Sequence, residues 1–519
     1  MSRLRKACRP GLASVFAVWV FAYVVRCPLW HTDVWGHLAY GRWMLAHGRL
    51  PETEPLMPLA DGVPAVMTAW LSQAGAAWIA GEEPTELYLL AAGCVAAAVF
   101  FVGRAAGGPR RSAIAATLAV ATFLLVEYRQ LFGGGALFEW CQSVLIRPQM
   151  AGLVAYASLM PLVFTGTPPR STPLLVAPTF VLWANLHGSW PMGLFVLAAA
   201  GLGAGFETAW RAGSPAAAWR SRRARRLLLS TAVAASAVFV NPYGPGLIAD
   251  VFGFSSDQNL FSLVEWRPIS LEQRQGVAAL CVAVMWLLTL AASRRRKSSF
   301  EVLAVVVLGL LTLKASRFVV WWGPIVAVSF ARHADAVVRQ HFASAVRGQR
   351  PIAATRLLFA AGVAAAAIGG TDRLLTRPTE DGDVASSFAG SVDRLPSGVL
   401  SAWLSEYDDG LVWTPYEWGD AFLWARPGYP VFVASHVHLI PADVWRDYRT
   451  VSRVRDGWED VLRRRGVTTV VADRGKNRRL IALLRKRESR WAEAHPHSLS
   501  VGFPRRETSP RGEQNITSA

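Results

Sequence analysis

Long apolar runs separated by short polar loops fill the first 371 residues, and the pattern changes after them. Runs of about 16 to 22 residues, enough for a helix to cross a hydrocarbon core, fall at 11–26, 84–104, 113–128, 149–166, 172–187, 189–210, 227–241, 276–293, 298–314, 316–331 and 354–371. They predict a mainly α, polytopic helical membrane protein with about eleven spans over residues 1–371. The first polar interruption, 27–83, is the longest of these loops. Beyond 371 the apolar positions come in short β-type runs, Gly410 to Trp413, Tyr429 to Ala434 and Val467 to Ala472. Helix-like polar stretches lie around 440–465 and 476–487, so a small α/β domain is expected over 372–487. Residues 488–519 are polar and aperiodic, which predicts a mobile tail.

Composition agrees with the pattern: 52% of the 519 residues are hydrophobic and only 17% charged, too apolar for a soluble chain of this length. The formal net charge of +18 raises nucleic acid as a partner, but the cations are spread over separate loops without interleaved aromatics, and no nucleic-acid partner is expected. They fall in alternate loops, for example Arg3 to Arg9, Arg104 to Arg111, Arg211 to Arg226 and Arg294 to Lys297. Roughly 23 cations lie on one side against roughly nine on the other, the positive-inside signature. The amino terminus is thus expected in the cytoplasm and, with an odd number of spans, the carboxy-terminal domain outside it. The first run is read as a retained span, because no small-residue cleavage site follows Arg26. The five cysteines have no metal-type spacing. A Cys27–Cys141 disulfide is conceivable, but unpaired cysteines are the expectation.

The segment HTDVWGHLAYGRWMLAHGRLPETEP, residues 31–55, follows the first apolar run yet carries three carboxylates, three histidines and several aromatics. Asp33 and His37 are four apart and share one face of a helix beginning near Thr32, with Tyr40 and Gly41 a turn further on. Three readings stand side by side. Asp33 or Thr32 caps an interfacial helix whose Trp30, Trp35, Tyr40 and Trp43 belong to an aromatic belt. Alternatively Asp33 and His37, with Glu54, hold a divalent cation. The third reading is a catalytic carboxylate.

The run Asp33-x-Trp35-x-His37-Leu38-x-x-Gly41-Arg42-Trp43, followed by His47-Gly48-x-Leu50-Pro51-x-Thr53-Glu54-Pro55, resembles the first outer loop of bacterial multi-span proteins related to the C-type fold (GT-C) glycosyltransferases. That superfamily includes the protein O-mannosyltransferases and the lipid A aminoarabinose transferases. Arg147-Pro148-Gln149, Asn185-Leu186-His187-Gly188, Asn241-Pro242-Tyr243-Gly244, Glu265-Trp266 and Tyr416-Glu417-Trp418-Gly419 match further motifs of the group in order. Each motif is short, and only the ordered set is specific. The resemblance implies an enzyme of the bacterial plasma membrane that moves a sugar from a polyprenyl-phosphate carrier to an exported glycan, lipid or protein, inverting the anomeric centre. By the match Asp33 would be the general base. The leaving group is a phosphate, and Arg147 and Arg317, cations at the outer ends of the fourth and tenth runs, and more weakly Arg267, would stabilise it. His37, Glu54, Asn185, His187, Asn241 and Glu265 would contact substrate, Glu54 standing where relatives usually have Asp. Relatives also often carry an acid just before the Trp-Leu closing the loop, whereas Ala69 precedes Trp70 and Leu71 here. A non-catalytic membrane scaffold and a transporter are the competing classes. Mid-span positions are almost wholly Ala, Val, Leu, Phe and Gly, which speaks against transport.

Overall fold

The computed structural model describes residues 11–27, 29–30, 33–80, 85–108, 112–131, 144–341, 357–367, 410–486, 491–494 and 500–505. The chain divides into two compact units. The first combines Met1–Glu52 with Ala65–Thr379, and the second Thr53–Pro64 with Glu380–Ala519.

In the first unit a helix occupies each of the eleven apolar ranges. These are α1 (Leu12–Val24), α4 (Thr85–Gly107), α5 (Ala113–Leu131), α6 (Gln149–Phe164), α7 (Thr172–Leu186), α8 (Trp190–Ala212), α9 (Arg222–Ala237), α11 (Arg274–Ala292), α12 (Ser299–Lys314), α13 (Val319–His341) and α14 (Leu357–Ala367). Among the described residues Glu86–Gly107, Trp190–Ala212 and Arg274–Ala292 are individually long and apolar enough to cross a membrane, and shorter apolar helices accompany them. Helix α2 (Asp33–His47) begins where the Asp33/His37 spacing places it. Helices α3 (Trp70–Ala80) and α10 (Gly246–Phe254) were not anticipated.

The Ala/Gly-rich helices pack through small residues, which let helix axes approach closely. A Cβ on Gly103 of α4 would sit 3.2 Å from both Ala13 of α1 and Val120 of α5. Helix ends follow local chemistry. Ser221 caps α9 by accepting from the Ala224 N–H, and Gly213, at φ 62°, ends α8 in the left-handed region. A two-stranded parallel ladder, β1 (Leu29–Trp30) with β2 (Val144–Leu145), pairs Leu29 with Val144 and Trp30 with Leu145. Two residues per strand give no periodic signal, and the partners are over a hundred positions apart. Cys27 is disulfide-bonded, contrary to the expectation of unpaired cysteines, while Cys94 and Cys281 are free thiols. Cys141 lies outside the described residues.

The second unit carries a three-stranded sheet in the order β3-β4-β5: β3 (Leu411–Trp413) parallel to β4 (Val467–Asp473), and β4 antiparallel to β5 (Ser500–Pro504). Four helices, α15 (Tyr416–Ala425), α16 (Ala442–Ser452), α17 (Trp458–Arg464) and α18 (Arg478–Lys486), accompany it. The expected strand over Tyr429 to Ala434 is reduced to a bridge between Val412 and Val431. Pro430 has no N–H to extend a ladder there. The tail expected from residue 488 requires a larger correction, because Ser500–Pro504 is a strand whose Ser500 to Phe503 are buried against β4. Its Ser-Val-Gly-Phe run is too short to stand out beside polar neighbours, and pairing supplies what periodicity lacks.

Candidate active site

Four candidate residues of the first unit, Asp33, Arg147, Glu265 and Arg317, come together, three of them close to helix starts. Asp33 is in the first turn of α2, where unpaired backbone N–H groups favour an anion. Arg147 stands two residues after β2 and just before α6. Because β1 and β2 pair, the chain leading to Asp33 and the chain leading to Arg147 emerge side by side. The Arg147 Nη2 to Asp33 Oδ2 distance is 2.8 Å, with the two side chains only 18% and 21% exposed. The other guanidinium nitrogen, Nη1, reaches Glu265 Oε2 at 3.2 Å. Glu265 lies in a single helical turn, Val264–Trp266, and its second oxygen is 4.0 Å from Arg317 Nη1. Arg317 in turn stacks on Trp266, 4.3 Å from the ring centroid, and lies 5.7 Å from that of Phe254. The segments are tied by the Ser316 N–H donating to the Arg267 carbonyl at 2.8 Å and the Ser316 hydroxyl donating to the Glu265 carbonyl at 3.1 Å. The result is an alternating series, Asp33, Arg147, Glu265, Arg317, drawn from segments up to 284 positions apart.

His37 lies one turn after Asp33, and its Nδ1 accepts from Gln73 Nε2 of α3 at 3.1 Å. This contact depends on Gly41. A Cβ there would lie 2.1 Å from the Gln73 carbonyl oxygen and 2.7 Å from Ala77 Cβ. Gly41→Ala is expected to force α2 and α3 apart at a cost of about 1–3 kcal/mol, read as a lower melting temperature in detergent. An unchanged melting temperature would show that the helices separate freely.

His187, just past the end of α7, is fixed as one tautomer. The Ser189 N–H donates to its Nδ1 at 3.2 Å, and the Ser189 hydroxyl lies 2.8 Å from the same nitrogen while accepting from Trp183 Nε1 at 3.0 Å. The neutral ring therefore carries its proton on Nε2. Burial pushes the imidazole down to about 3, and the positive field of Arg317 and the neighbourhood of His37 add to the effect. Gly152 of α6 makes this fit, since a Cβ there would meet Ser189 Oγ at 2.5 Å. A base whose folded value is depressed binds its proton in the unfolded chain first. Its contribution is fully present above about 6.5 and is lost as pH falls from there toward 3. His187→Asn is expected to lessen the drop in melting temperature between pH 7 and pH 4, measured in matched detergent buffers.

The remaining candidates have these neighbours. Asn185 is buried, accepts from Trp70 Nε1 at 2.8 Å and donates to the carbonyls of Val181 and Val240, binding α3, α7 and the end of α9. Asn241 forms a turn on itself, accepting from the Tyr243 N–H at 2.8 Å and donating to Val238 and Gly244. Arg267 is exposed. Glu54 belongs to the second unit, where it is 4% exposed and one oxygen accepts the N–H groups of Leu56 and Met57 at 2.8 and 3.0 Å. In the same unit Glu417 pairs with Lys476 at 2.9 Å. Among the described residues no three His, Cys, Asp or Glu side chains gather as a metal site. The sequence reading missed Gln73, which has no motif around it, and Ser189, whose only signal is its place two residues after His187.

No family model matches the sequence, and no curated protein matches it. Among solved structures the chain is similar to the oligosaccharyltransferase of Archaeoglobus fulgidus, crystallised with a disulfide-tethered acceptor peptide containing the NVT sequon. The TM-score is 0.50 at 11% identity, covering 96% of this chain and 74% of that one. At this identity the likeness is one of fold.

Proposed function

We propose that the protein is a glycosyltransferase of the bacterial plasma membrane that transfers a sugar from a polyprenyl-phosphate donor to an extracytoplasmic acceptor, with inversion. The observation that carries this reading is the alternating Asp33, Arg147, Glu265, Arg317 series at one end of a GT-C-like helical unit. It links a carboxylate and two guanidiniums through Glu265 in one continuous series. The arginine-rich loops lie at the other ends of the helices, so the positive-inside rule puts this site on the outer face. There a polyprenyl tail stays in the bilayer while its phosphate and sugar meet the site.

In this reading Asp33 takes the proton of the acceptor hydroxyl as that oxygen attacks C1 from the face opposite the phosphate. The C1–O bond to phosphate breaks, and its electron pair leaves on the phosphate oxygen. Arg147 and Arg317 meet the charge that develops there. Glu265, facing both guanidiniums, is their positioning residue. Neutral His187 contributes an Nε2–H donor for a sugar or phosphate oxygen.

The test uses the purified full-length protein in lipid, a panel of radiolabelled polyprenyl-phosphate sugars and cell-envelope extract as acceptor. Label moving from one donor into the extract, with the stereochemistry of the product inverted, is the expected result. Transfer with retention, or ATP-dependent movement of intact donor between leaflets without bond cleavage, overturns the reading.

A further inference from the structure

At the opposite ends of the same helices lies a second built site, which the transfer reading does not use. Helix α6 runs from the Arg147 end to Phe164, 16 residues, or about 24 Å at 1.5 Å per residue. Around its far end is a recess of about 350 Å³, bounded by Glu207, Thr208, Arg211, Arg223, Arg295 and Arg296, with the start of α12 closing it. That volume is at the small end of ligand sites, about 300–1,000 Å³.

Its charge is unbalanced. Glu207 pairs with Arg211 at 3.6 Å and Arg296 at 3.3 Å, and also accepts the Ser299 N–H at 2.8 Å. Glu301, the other carboxylate on the wall, is engaged at 3.1 Å by His333. Arg223 spends its guanidinium on the α6 terminus, donating to the Thr165 carbonyl at 2.6 Å and to that of Val163. Arg295 is different. Its Nε is shielded from solvent and has no hydrogen-bond partner among the described residues, although its charge acts on Glu301. A guanidinium N–H without an acceptor is costly to keep, and the Arg295 side chain lines the recess, where an anion would be drawn to its charge.

The source of that anion is indicated by the rim. On α8, residues 204, 207, 208 and 211 face the recess, while Phe206 and Trp210, 58% and 77% exposed, stand on the adjoining face with Trp219 at 73%. Exposed aromatics at a helix end mark the headgroup level of a bilayer, and basic pockets between helices at that level select anionic headgroups. We propose that this recess binds the phosphate headgroup of an anionic membrane lipid, its acyl chains lying along the apolar side of α8 and its phosphate facing Arg295 and Arg296.

The experiment places the full-length protein in nanodiscs of equimolar phosphatidylglycerol and phosphatidylcholine and counts lipids retained on ejection by native mass spectrometry. Wild type is expected to retain phosphatidylglycerol preferentially. Arg295→Gln should lower that retention about tenfold, the worth of one charge-assisted hydrogen bond. Arg296→Gln, with a side chain 56% exposed and hence little consequence for folding, provides a second variant with the same expected direction. Arg225→Gln, exposed on the same side but outside the recess, should change nothing. Equal retention of the two lipids by wild type, or equal losses in all three variants, overturns the site. Inorganic phosphate that raises the melting temperature in detergent as much as an equal concentration of short-chain phosphatidylglycerol overturns the lipid assignment in favour of a soluble anion.

Discussion

Asp33→Asn is expected to lower sugar transfer by about 10²–10⁴-fold, the range contributed by a positioned general base, in a protein that still folds and inserts. Asparagine keeps the size of the side chain and an oxygen that can accept from Arg147, but it cannot take a proton. The structural cost should be moderate. The Arg147–Asp33 pair is only about one-fifth exposed, so losing one charge is felt by its partner, but Arg147 keeps Glu265 as a counter-charge. Asp33 also sits in the first turn of α2, where an uncharged Asn remains a good terminal residue. The measurement is the initial rate with the labelled donor, beside a gel-filtration profile and a melting curve. Full-rate transfer by the variant would return Asp33 to the role of a helix-terminal anion and leave the base unassigned.

Arg147→Gln should cost about 10²–10³-fold in kcat/KM, comparable to deleting one donor from an oxyanion site, and should be harsher than Arg317→Gln. The reason is geometric. Arg147 is the residue that faces both carboxylates, Asp33 at 2.8 Å and Glu265 at 3.2 Å. Its removal takes away a leaving-group contact and at the same time leaves two like charges facing each other. Arg317 by contrast touches Glu265 only at 4.0 Å and is held independently by stacking on Trp266. Arg147→Lys should recover only a small part of the loss, because a single ammonium cannot span two carboxylates as a planar fork does. Kinetics over a range of donor concentrations decide the matter. A variant that loses affinity alone, with kcat intact, would make Arg147 a ground-state binding residue.

Several members of the site were legible in the sequence for separable reasons. The four-residue spacing of Asp33 and His37 is a helical period, and α2 begins at Asp33. Arg147 and Arg317 were picked out as cations at helix ends on the side poor in cations, and both face Glu265. The Asn241-Pro-Tyr-Gly turn closes on its own side chain as its composition suggests. By contrast nothing in the residues around Gln73 announced that it would meet His37, and the closeness of α2 and α3 rests on one glycine whose significance is visible only when its neighbour is in place.

The sequence by itself determined where the long apolar helices lie, because a continuous apolar run marks each of them and the hydrogen bonds of a helix are all local. It likewise determined the arginine asymmetry between the two sets of helix ends and the α/β character of the second unit around β3 and β4. Only the tertiary structure decided which ends meet. A two-residue ladder between Leu29–Trp30 and Val144–Leu145 aligns Asp33 with Arg147, and β5 takes its form from β4 rather than from its own pattern. Such contacts join positions far apart in the chain, and their energy resides in the pair and not in either segment, so neither segment carries a readable trace of the other.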